Sequence, residues 1–102
     1  MYSKNSIERV IAATDLVGLI QETVSLVRRG TEYMGRCPFH DDNGSSLLVA
    51  PGKQIFKCFS CGAGGDAIIW EMKSGKVTFS VAVQKLARQS EIDLDEDESH
   101  DA

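Results

Sequence analysis

Two short segments of this sequence carry residue types that could hold a metal ion: Cys37-Pro38-Phe39-His40 and Cys58-Phe59-Ser60-Cys61. Each has two residues between its end members, and 17 residues separate the segments. A Cys-x-x-His or Cys-x-x-Cys segment fits a tight turn, or knuckle, that aims both ligands at one ion. Two knuckles complete a tetrahedral set. Thiolate and imidazole donors select zinc over harder cations. Four protein ligands (Cys37, His40, Cys58 and Cys61) leave no position open, so the expected cofactor is one structural zinc ion rather than a Lewis acid for catalysis. Pro38 pre-sets the first turn. Gly62, Gly64 and Gly65 suit a chain that must double back after the second.

Two other readings of these residues exist. Reduced, buried cysteines beside an unrelated histidine would leave the agreement of spacing and turn chemistry unexplained. A redox-active Cys58-x-x-Cys61 pair would leave Cys37 and His40 without a role. Three cysteines cannot pair completely as disulfides, which agrees with a mixed ligand set. His100 lies in an acidic segment and is not expected to ligate.

A chain of 102 residues suits one small domain whose core is modest, so a metal staple would help it fold. No apolar run is long enough to span a membrane, and the N-terminus MYSKNSIERV has no apolar signal stretch. The expected location is therefore the cytoplasm, where thiols stay reduced. The net charge of −4 hides an asymmetry. Residues 91–102 hold seven acids and no Lys or Arg, whereas residues 1–90 hold 11 basic and 8 acidic side chains. The main part is mildly basic, which permits nucleic-acid binding without requiring it. These features divide the chain into a domain over 1–90 and an acidic, disordered tail or linker over 91–102.

The elements that must position the ligands read as follows. Ser6 is expected to cap a first helix, and Thr14 a second over TDLVGLIQET. The run 24–27 favours a strand, Arg29-Gly30-Thr31 a turn, and 32–36 a returning strand into Cys37. Residues 47–49 and 54–58 flank Pro51-Gly52 and read as a β-hairpin. Asp66 is expected to cap a helix stopped by Gly75, and Thr78 a last helix with Phe79, Ala82, Val83 and Leu86 inward. Phe39 and Phe59 are expected to shield the zinc sulfurs. The fold class expected is α+β: a zinc ribbon with a small antiparallel sheet flanked by short helices.

Cys-Pro-Phe-His, the hairpin and KQIFKCFSCGAGGDAI together resemble the N-terminal, CHC2-type zinc-binding domain of bacterial and phage DnaG-type DNA primases. Thr14 to Leu26, Gly30-x-x-Tyr33-x-Gly35 and Phe79-x-x-Ala82-Val83-x-x-Leu86-Ala87 are similar to other parts of that domain. The resemblance covers residues 6 to 94. It implies recognition of single-stranded template DNA at initiation sites, beside a separate catalytic domain that makes RNA primers during replication. It implies the primase catalytic domain or a replicative helicase as partners, in a bacterial or phage-infected cell. The acidic cluster of the family's catalytic domain has no counterpart here, so no catalytic residue is expected. Where the family reads acidic-Lys-Thr-Pro-Ser-Phe after the histidine, this chain has Asp42-Asn43-Gly44-Ser45-Ser46-Leu47. DNA affinity is then expected to be lower, or the basic surface to have moved to Arg36, Lys53 and Lys57. With basic grooves and aromatic platforms as the usual means of holding single strands, the candidate contacts are Arg28, Arg29, Tyr33, Arg36, Lys53, Phe56 and Lys57. The alternative is a stand-alone zinc-ribbon adaptor that binds a protein, with DNA binding weakened or lost.

Overall fold

The computed structural model describes residues 2–41 and 44–94. The acidic run 95–102, and Asp42-Asn43 in the segment that departs from the primase pattern, lie outside the described residues. Two short helices open the chain, α1 (Lys4–Ala13) and α2 (Leu16–Gln21). The cap of α1 is Ser3, not Ser6: the Ser3 hydroxyl accepts from the Ser6 amide at 3.1 Å. Ser6 is the third helical residue and is buried, so it receives the cap rather than providing it. Thr14 likewise does not cap α2. Its hydroxyl donates back to the Val10 carbonyl at 2.7 Å, closing α1. The next residue, Asp15, accepts from the Gly18 amide and starts α2.

Five strands follow: β1 (Leu26–Arg29), β2 (Glu32–Gly35), β3 (Leu47–Ala50), β4 (Ile55–Cys58) and the two-residue β5 (Gly64–Gly65). They form one antiparallel sheet in chain order, each strand paired with the next. β1 lies two residues later than the run 24–27. The Arg29–Glu32 pairing makes Gly30-Thr31 a two-residue turn, with Gly30 at φ 68°, and that turn fixes the register. The β3–β4 turn is wider than Pro51-Gly52 alone. It spans four residues between the paired Ala50 and Ile55, with Gln54 left-handed at φ 56°. A non-glycine residue there costs about 1 kcal/mol or more. The compensation is long-range: the Gln54 amide nitrogen donates to the carbonyls of Ile11 (2.7 Å) and Thr14 (3.0 Å). The Ile11 carbonyl also accepts the Thr14 amide at 3.2 Å, so Gln54 adds a second bond there and ties the β3–β4 turn to the end of α1.

Two more helices complete the fold. Asp66 caps α3 (Ala67–Gly75), accepting from the Ile69 amide at 3.1 Å, and Thr78 caps α4 (Phe79–Ser90), both as expected. The left-handed stop after α3 falls on Lys76 rather than on Gly75. Ala82, Val83, Leu86 and Ala87 of α4 are buried, but Phe79 is exposed. The core gathers Val10, Leu16, Ile20, Leu47, Val49, Phe56, Ile68, Trp70, Val83 and Leu86. All helices therefore contribute to one layer over one face of the sheet. Ile92 and Leu94, beyond α4, still pack against that core. Glu71 of α3 is buried and accepts from Lys85 of α4 at 2.6 Å, pinning the two helices together.

Candidate metal centre

The sheet register brings the ligand segments together. Leu26, Gly35, Leu47 and Cys58 form one row across β1 to β4. Cys58 ends β4, and Cys37 follows Gly35 by two residues, so both knuckles start from the same end of the sheet. Gly35 is needed for that approach. A Cβ there would lie 2.7 Å from the Ser25 carbonyl oxygen and 2.8 Å from a Leu26 methyl. The second knuckle is built by its own backbone. The Gly62 amide donates to the Cys58 carbonyl (3.1 Å), the Cys58 amide donates to the Ala63 carbonyl (2.7 Å), and Gly62 takes φ 83°. It is tied to the chain before β3 by the Phe59 amide on the Ser46 carbonyl (2.9 Å) and by a 2.8 Å contact between the Ser46 and Ser60 hydroxyls.

The ligand atoms of Cys37, His40, Cys58 and Cys61 all lie within 4.8 Å of one another. The Cys37 and Cys61 sulfurs are 3.9 Å apart, and His40 Nε2 is 3.3 Å from the Cys58 sulfur. Zinc–sulfur bonds of about 2.3 Å and zinc–nitrogen bonds of about 2.0–2.1 Å give tetrahedral edges of roughly 3.8 Å and 3.5 Å. The four residues are thus positioned to bind one zinc ion. Cys37 and Cys58 are buried, His40 is half-buried and Cys61 is exposed. No disulfide joins the three cysteines, and Cys37 and His40 share one cluster with Cys58 and Cys61, which a redox pair alone would not require.

The two buried thiols differ in their ease of ionisation. Burial pushes Cys37 up to about 12, with the neighbouring Cys58 and Cys61 sulfurs adding to the rise. Burial also pushes Cys58 up, but the Cys61 and Ser60 amides stabilise its thiolate, and the balance brings it down to about 6. Cys58 therefore meets a metal already ionised at neutral pH, while Cys37 gives up a proton as it binds. Metal affinity must fall as the pH is lowered.

Around the ligands, Phe39 packs edge-on to Trp70 (centroids 5.0 Å apart) and near Phe56 (6.3 Å), and Phe56 meets Trp70 at 5.1 Å. Phe59 does not shield the sulfurs as expected. It is 63% exposed.

The expected nucleic-acid contacts scatter over the sheet. Phe56 is a correction: it is 1% exposed and its ring is enclosed by Phe39 and Trp70, so no face is free for a base. Tyr33 is half-buried against the core. Arg28 is exposed but donates to the Gly30 carbonyl at 2.9 Å, bracing its own hairpin. Arg29 and Lys57 are exposed on strands whose odd-numbered residues there face away from the helices. Arg36 is exposed at the entry to the first knuckle and Lys53 in the β3–β4 turn. Of the two exposed phenylalanines, Phe59 and Phe79, the one beside the metal site is Phe59. Strand alternation held the signal: Cys58 must turn inward to the metal, so Phe56 turns inward with it and the next residue does not.

Two cysteine-bearing knuckles closing one metal site at the end of an antiparallel sheet define a zinc ribbon. The CHC2 zinc finger family, the zinc ribbon of DnaG, matches residues 2–102, and the chain belongs to it. It is 44% identical over 87 residues to a DNA primase of Synechococcus elongatus, covering 85% of this chain and 12% of the relative. It is 42% identical over 91 residues to a DNA primase of Geobacillus stearothermophilus, covering 89% and 15%. Its fold superposes on the Aquifex aeolicus primase structure of zinc-binding and RNA polymerase domains with a TM-score of 0.82. The identity is 39%, over 88% of this chain and 22% of that one. The chain is a zinc-binding domain of the DNA primase type, and it spans about an eighth of the length of these curated relatives.

Proposed function

We propose that this domain recognises single-stranded template DNA at initiation sites, in support of RNA primer synthesis by a primase catalytic domain. The observation that carries this reading is the sheet face turned away from the helices. Val27, Met34, Leu48 and Lys57 form one row across it. Val27, 59% exposed, and Ile55, 41% exposed, leave apolar side chains on this face beside the cations. Arg29 and Lys57 on this face, with Arg36 and Lys53 at its ends, supply positive charge for phosphates. Phe59, at the knuckle end of β4, replaces Phe56 as the stacking platform. Basic side chains around an exposed aromatic are what a single strand needs.

A titration against single-stranded oligonucleotides at two salt concentrations tests the reading. Binding should weaken with salt, and Phe59→Ala should cost about 1–3 kcal/mol of affinity, the range for one lost base stack. Salt-insensitive binding, or none, would remove DNA recognition by this chain. The second reading, a protein-binding adaptor, is supported by Phe79 and Val81, both exposed at the start of α4. Capture of a primase catalytic domain or a replicative helicase by a domain that binds no oligonucleotide would favour it. Either reading places the chain with the replication machinery in the cytoplasm of a bacterial or phage-infected cell. Among the described residues, no helix is long and apolar enough to cross a membrane.

A further inference from the structure

Two surface hollows meet at the first zinc knuckle. The larger, about 590 Å³, opens on the outer sheet face beside Val27 and Met34 and is lined farther in by Arg36, Pro38 and Thr23. The second, about 530 Å³, lies on the helix side and is lined by Phe39, Lys73, Ser74 and Lys76, together with the same Thr23 and Pro38. The two hollows adjoin at Thr23 and Pro38, one toward the outer sheet face and the other toward the end of α3. No carboxylate lies among the described residues that line either part. A hollow elsewhere, about 360 Å³ between α1, α2 and α4, is lined by Asp15 and Glu22 and would repel a polyanion.

The helix-side end is chemically specific. The Lys73 ammonium is held 5.7 Å over the Phe39 ring, a cation–π contact that positions its charge without neutralising it. Lys76 holds a left-handed backbone (φ 54°) at the helix stop, where glycine would be less strained. Lys73 near the end of α3 and Lys76 just past it both line this hollow and are exposed.

We propose that the single strand held on the outer sheet face continues round the first knuckle, and that Lys73 and Lys76 bind its phosphates. This rests on the DNA-binding reading above and lengthens its footprint from the sheet to the helix layer. A strand fits better than a small anion because the basic side chains are spread over two adjoining hollows, Arg36 in one and the two lysines in the other.

The test compares the full chain, zinc-loaded, with the variant K73Q/K76Q and a charge control, R9Q/R88Q. Arg9 and Arg88 lie outside both hollows. Binding to single-stranded DNA of roughly 4 and roughly 16 nucleotides, the span of site sizes for single-strand binders, is measured by anisotropy over a range of salt. K73Q/K76Q should lower the log–log salt slope on the long strand by about 1.4, at about 0.7 per lost phosphate contact. It should leave the short strand unchanged. An unchanged slope on the long strand overturns the proposal. So does an equal loss on both lengths, or the same loss in R9Q/R88Q, since each would mean general charge rather than a path. Salt-insensitive binding by the wild type would instead remove the DNA-binding reading, and this inference with it.

Discussion

The two faces of the sheet are made from the same strands and have opposite duties. Inward residues (Leu47, Val49, Phe56 and Cys58) are fully buried and hold the helices and the metal site. Ile55 and Lys57, which alternate with Phe56 and Cys58 along β4, are exposed, as is Val27 in the same cross-strand row as Lys57. The period-two geometry of a strand interleaves them residue by residue. Binding chemistry can therefore change on one face without touching the packing on the other.

Five experiments would break or sharpen that contrast. The largest effect should come from Cys58→Ser, at the inward end of β4. Structural zinc contributes on the order of 10–16 kcal/mol in small zinc peptides. The variant should lose its single zinc in a stoichiometric metal assay and its helical circular dichroism together. A folded, zinc-free variant would mean that the inward face does not depend on the metal. Next is Phe56→Ala, expected to cost about 3–5 kcal/mol in denaturant unfolding. Its effect on oligonucleotide binding should follow the folded fraction alone. Lost affinity at full stability would reverse the assignment of the faces.

Smaller effects concern the layer behind the inward face. Lys85→Ala would leave Glu71, 3% exposed, buried without its ammonium partner. The cost should be about 1–2 kcal/mol, discounted because Lys85 itself is half-exposed. The Glu71 hydrogen bond raises Lys85 above its ordinary value of 10.5. Its contribution is therefore complete below pH 10.5 and fades as the pH rises past the raised value. Thermal melts of wild type and variant should differ at neutral pH and converge in strong alkali. Gln54→Ala should cost about 1 kcal/mol for the lost amide clamp. Gln54→Gly should cost less, because it relieves the left-handed backbone; equal losses would mean the clamp carries the whole effect. The smallest stability change belongs to the outward Lys57→Gln, within about 0.5 kcal/mol of wild type. It should nevertheless lower the oligonucleotide salt slope by about 0.7. A larger destabilisation would make the outer face structural after all.

The ligand set was legible because its information is local: residue type, a two-residue spacing and glycines after the second knuckle. The Asp66 and Thr78 caps were legible for the same reason. Ser3 and Ser6 compete for one cap, as Thr14 and Asp15 do for the next, and only the register of the buried residues decides between them. The Gln54 clamp joins residues 43 positions apart, so no window of sequence contains it. Phe56 was misjudged although its shared face with Cys58 already implied burial. The basic hollow past Pro38 depends on bringing α3 beside the first knuckle, and spacing along the chain does not encode that.

The two borders of the sheet carry a consequence of their own. β5 is only two glycines long, and β1 at the opposite border ends in Arg28 and Arg29. Short or cationic border strands are poor templates for adding a strand from another chain. With neither border inviting a neighbour, the domain can work at high local concentration beside its own copies without zipping into them.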